Sequence, residues 1–415
     1  MNIQTTLYWI IGIITATAVV GGAWFYFSLS STPSSSQLIP QGDGFGVGDS
    51  RTVAITPSGS SGAQNTPLST TATNGSQKIF KVADGPITSA TLVQTLHPTT
   101  TLARYVLQEN GHVLEVVLDN AGVVARAISN TTIPSTARGT WTEKGNGIVL
   151  QYLEGSTVKS VYLGFPIAAS GTTTKSQTVR IQFLPNNITD LGVSPDGTQV
   201  TYLLKTSSGS DGFIAKVDGS ASKKLFSTPL SQMLISWPAP KMLLLQTKSA
   251  MGTPGAAFSV STASGAVVPL VYAAGLTAIA NQDFTQVVYQ TIGNAISSYV
   301  HDIKTNKDRP LSFNPIPEKC VLSSKTPSLM YCAAPLGGVL PSYLEEWHQG
   351  VASSPDALFS FDIKTGKSSI IAAPGGEDGG VNSDVASLAV SPDDHYLIFV
   401  KKGDRSLWAL RLTTQ

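Results

Sequence analysis

From residue 78 onward the chain alternates short apolar runs with turns rich in Gly, Asp, Asn and Pro. That rhythm predicts β-strands rather than helices, and no strand–helix alternation interrupts it. Four stretches superimpose without gaps: 191–202, 278–289, 320–331 and 388–399. Each is an apolar strand, a polar turn and a second apolar strand ending on an aromatic. Looser copies cover 141–152 and 234–245, and another second strand covers 102–107 with Tyr105. A further element follows each copy. Residues 301–307 and 361–367 are nearly identical, and 118–122, 217–219 and 261–265 occupy the same place. Each has a strand on either side, with Asp, Asn and Gly supplying a tight turn. One unit is therefore four antiparallel strands.

The aligned aromatics set the period. Tyr105 to Tyr152 is 47 residues, Tyr152 to Tyr202 is 50, and Tyr289 to Tyr331 is 42. Tyr331 to Phe399 stretches to 68 because that unit carries an insertion. Four strands every 40–50 residues is the signature of a β-propeller blade. Tyr105, Tyr152, Tyr202, Leu245, Tyr289, Tyr331 and Phe399 mark seven blades. The last unit stops near Leu412 after its third strand, and residues 78–82 supply the missing fourth. Pairing them closes the ring and removes open sheet edges. The expectation is an all-β, seven-bladed propeller over 78–415, preceded by a transmembrane helix (1–29) and a disordered tether (30–77).

The turns Ser194-Pro195-Asp196-Gly197 and Ser391-Pro392-Asp393-Asp394 resemble those of TolB-type and WD-repeat-like bacterial propellers. Segments such as Glu346-Trp347-His348 and Leu407-Trp408 also look like those of membrane-anchored bacterial propellers without a known activity. The resemblance covers about 78–415. It implies a fold and leaves the function open, because propellers host binding and catalysis alike.

The N-terminal pattern differs. Residues 6–29 carry no charge and are long enough to cross a bilayer as a helix. Tyr8 and Trp9 mark one edge, and Trp24 to Phe27 the other, where aromatic rings favour the headgroup level. A cleaved signal peptide fits less well, since no Lys or Arg precedes the run and no small-x-small site ends it. The following 30–77 stretch is built from Ser, Thr, Gly, Pro and Asn and cannot bury enough apolar area to order itself. As a flexible tether it reaches roughly 40 Å. The first basic residue is Arg51, so charge says little about orientation, and composition favours the bulk of the chain outside.

Charge narrows the function. The 27 basic and 26 acidic residues balance to +1, and only 13% of residues are charged, which argues against nucleic acid. Two cysteines exclude a disulfide-dense scaffold. Cys320 and Cys332 flank the sixth hairpin symmetrically about Thr326, so they face each other and form a disulfide outside the cytoplasm, or stay as two buried thiols.

Two long loops fall on the same face of the ring, 335–356 inside blade 6 and 374–384 before blade 7. Long loops on a rigid scaffold commonly carry function. The first contains Ser342 and Glu345 at capping-box spacing and Gly350 at a C-terminal position, which predicts about two helical turns. Tyr343, Glu345, Glu346, Trp347 and His348 then form a binding patch, or Leu344 and Trp347 simply plug the blade. Glu377, Asp378 and Asp384 add carboxylates that suit calcium in type, although a solvated loop is the simpler reading. The five histidines show no metal spacing, no nucleophile elbow or phosphate loop is present, and the sequence calls for no cofactor. The expected role is a membrane-tethered, extracytoplasmic binding or scaffolding module whose partner is an envelope protein or glycan. The alternatives are an envelope hydrolase with a composite carboxylate site at the channel, and a structural subunit of an envelope complex.

Overall fold

Apolar runs rich in Val, Ile, Leu and Tyr become strands because such side chains pack well on a pleated surface. The computed structural model describes residues 77–96, 99–119, 124–142, 144–165, 179–376 and 381–412. The expected span 6–29, the tether up to residue 76, and Glu377 and Asp378 lie outside the described residues. Among those described, no helix is long and apolar enough to cross a membrane.

The described strands form seven four-stranded antiparallel sheets, each with its strands in sequential order except the seventh. Blades 1 to 6 cover 87–129, 136–183, 188–228, 233–274, 277–310 and 320–372. Blade 7 takes three strands from 385–411, and Ile79–Ala83 is its fourth, antiparallel to Leu407–Arg411. The seven marker positions all fall in second strands. The core is a series of apolar layers between neighbouring blades. Phe80, Val82, Ile87, Tyr105 and Leu407 fill one, and Tyr331, Leu358, Val385 and Phe399 fill the next.

The aligned turns share one face. In blade 3, Ser194 Oγ donates to Asp196 Oδ1 (2.6 Å) and accepts from the Gln199 amide (2.9 Å). Blade 7 repeats this with Ser391, Asp393 and Tyr396. Blade 5 lacks the serine, and Asn281 Oδ1 accepts the Gln286 amide in its place (2.9 Å). The position of Gly197 (φ 72°) requires a left-handed backbone; Phe284 and Asp394 adopt it there at φ 54° and 58°. These turns also link blades: Gln94 donates to Asp393, Ser323 to Asp394, and Gln282 to the Ser323 carbonyl. Gln77 and Lys78 enter on this hairpin face, where their carbonyls accept from Arg411. The long loops lie on the opposite, loop face.

Candidate functional site

Two elements build the loop face over blades 6 and 7. In the blade-6 insertion, Leu340 to Ser342 lead into helix α1 (Tyr343–Gln349), one face of which is apolar. Tyr343 and Leu344 bury themselves against Ile292, which ends the second strand of blade 5, and Ile316, in the connection to blade 6. The expected capping box does not form: Ser342 has helical backbone angles (φ −72°, ψ −13°) and its side chain caps nothing. A serine already inside the helical region cannot direct its hydroxyl to the N3 amide. The C-terminal signal operates, with Gly350 left-handed (φ 80°) and its amide bonded to Glu346 and Trp347 carbonyls.

Beneath α1 lies a buried charge cluster. Lys319 ends a short 3₁₀ turn, Pro317–Lys319, before the first strand of blade 6, and its side chain is 0% exposed. Its ammonium donates to Asp356 Oδ2 (2.9 Å) and Asp384 Oδ1 (2.6 Å). Asp356 opens the third strand of blade 6, and Asp384 precedes blade 7. Asp356 Oδ2 also accepts the Val385 amide (2.9 Å), whereas its Oδ1 is buried with no hydrogen-bond partner among the described residues. Trp347 Nε1 donates to both oxygens of Asp384 (2.9 and 2.8 Å). The indole lies between two ammonium groups, Lys319 at 4.6 Å and Lys402 at 4.5 Å from the ring centre. Lys402 donates to the Trp347 and Ala352 carbonyls (2.6 and 2.9 Å), fastening the end of α1 to blade 7. Farther along the helix, His348 Nε2 meets Glu318 Oε2 at 2.7 Å.

Electrostatics follow from this burial. Desolvation pushes the Asp356 carboxyl up to about 6 against the pull of Lys319. Burial alone disfavours the Lys319 ammonium, yet Asp356 and Asp384 together hold it above its ordinary value. Lys402 is lowered by desolvation, with Asp384 opposing.

The two long loops therefore meet, through Trp347 and Asp384. Of the residues singled out from sequence, Tyr343 is buried with its hydroxyl on Ser354 (2.8 Å), and Asp384 is spent on Lys319 and Trp347. Both oxygens of Asp384 are occupied and its side chain is 1% exposed, so it is not a solvent-facing ligand of an acidic loop. Glu345 and His348 remain exposed, and Glu346 is half-buried. Cys320 and Cys332 pair directly across the hairpin and form a disulfide. Lys319, Asp356, Glu318 and Lys402 carried no local signal, because a single charge at a strand end reads as solvated.

Beside the insertion is a groove of about 670 Å³ lined by Met251, Gly252, Ala274, Asn294, Leu340 and Pro341 among others, none of them ionisable. Leu336, Leu340 and Val351 of the insertion are exposed. The converging carboxylates Asp356 and Asp384 are buried, with side chains 0% and 1% exposed.

These features define a seven-bladed, strand-closed β-propeller with one sector of its loop face built up by a clamped insertion. Solved structures share that fold. Oligogalacturonate lyase from Vibrio parahaemolyticus is 9% identical, with a TM-score of 0.50 over 81% of this chain and 97% of that one. A chain of a mitotic checkpoint complex is 11% identical, with a TM-score of 0.51 over 86% and 100%. TolB from Acinetobacter baumannii is also among the structural neighbours, 11% identical with a TM-score of 0.41 over 84% and 66%. At such identities the likeness shows the fold alone. No family model and no curated protein sequence matches the chain.

Proposed function

We propose that the chain is a membrane-tethered, extracytoplasmic propeller that binds or scaffolds an envelope protein through the loop face over blades 4 to 7. The observation that carries this reading is the clamped insertion. Its inner side is used by α1 and the charge cluster, while Leu336, Leu340 and Val351 are exposed and Leu340 lines an uncharged groove. Exposed apolar residues beside a concave surface are what a protein interface needs. A glycan site would favour an open aromatic face, and here Tyr343 is buried and Trp347 is held between two lysines. The apolar run 6–29, the polar tether and the disulfide support an outside location.

Photo-crosslinking in intact cells tests this. A photoreactive residue at Leu340 is expected to capture one envelope protein. The same group at Leu153, exposed on blade 2, is expected not to. Identical adducts from both positions would contradict the proposal.

A further inference from the structure

We propose that the ionisable groups beneath α1 form a clamp that tightens the insertion onto the propeller as the pH falls from neutral to mildly acidic. This is a property of the fold and goes beyond the binding reading, so its test involves no partner.

The geometry sets the direction. With every group in its neutral-pH form, two carboxylates share one fully buried ammonium. The second cation, Lys402, stands farther off, 3.8 Å from Asp384, and is partly exposed. The buried part of the cluster thus holds surplus negative charge, and Asp356 Oδ1 has no hydrogen-bond partner among the described residues. A proton on Asp356 removes the surplus and leaves Lys319 and Asp384 matched. The charged and titratable groups facing Asp356 are Lys319, Asp384 and Lys402 from the surrounding loops and Tyr343 from α1. Tyr343 and Trp347 cover Lys319, so lifting α1 opens the cluster to water.

Linkage gives the sign. The folded carboxyl of Asp356 sits near 6 rather than 3.8, so the closed state binds more protons between those values. Its contribution is complete below the unfolded value and is lost as the pH rises through about 6.

Hydrogen exchange on the full chain tests the clamp, with amides of α1 referenced to strand Gln199–Thr206 in blade 3 and corrected for intrinsic rates. Protection of α1 is expected to rise about tenfold between pH 7.5 and pH 5, from proton uptake by Asp356 alone. Asp356→Asn is expected to remove most of that rise. Protection that is flat or falls on acidification would overturn the proposal, as would a full rise in the Asp356→Asn variant. If Asp356→Asn does not fold, the wild-type series still decides between a rise and no rise.

Discussion

The two faces of the ring are held together by different chemistry. On the hairpin face, short Ser, Asp and Asn turns recur from blade to blade and bond within the turn, and those of blades 5 to 7 also bond to a neighbour. On the loop face over blades 6 and 7, one insertion is fixed by a single cluster of buried charges from four separate segments. Repetition spreads the hairpin-face links over many weak contacts. The insertion concentrates its attachment in Lys319, where one change affects every partner.

The largest effect should come from the ring closure common to both faces. Removing residues 1–77 is expected to leave thermal unfolding unchanged. Removing 1–86 also deletes buried Ile79, Phe80 and Val82, about 1.5–3 kcal/mol each, and exposes the edge of strand Leu407–Arg411. Equal melting of the two truncations would refute the closure. Next comes the hub itself. Lys319→Met leaves two buried carboxylates without their cation and should cost about 3–5 kcal/mol in chemical denaturation. A cost near zero would show that water reaches the cluster.

The disulfide lies between the faces, on the strands that carry the insertion. Cys320→Ala with Cys332→Ala should lose about 3 kcal/mol by loop-closure entropy, measured against the wild type without reductant. Trp347→Phe keeps the ring but removes a donor to buried Asp384, for about 1.5–3 kcal/mol. The smallest change sharpens the contrast most. Ser342→Ala should shift stability by under about 0.5 kcal/mol, since the hydroxyl caps nothing. A larger loss would restore the capping box that the sequence suggests.

Legibility follows the same division. Repetition makes the blades readable, because Tyr105, Tyr202, Tyr289 and Phe399 recur at one strand position and the turns between them recur in kind. The facing cysteines are readable from symmetry about one turn. The contact between the two long loops is readable as a shared face, but not its chemistry. Lys319 and Asp356 are 37 residues apart, and Lys319 and Asp384 are 65. Nothing repeats at those distances, so only the folded chain reveals that these charges are buried together. Ser342 and Glu345 show the converse, where a local motif is overruled by the packing of Tyr343 and Leu344 beneath the helix.

The central claim, a tethered propeller outside the cytoplasm, is tested most directly by protease shaving of intact cells with maleimide labelling of Cys320 and Cys332. The account predicts cleavage within the tether and thiols that label only after reduction. A protected domain whose thiols label without reductant would contradict it.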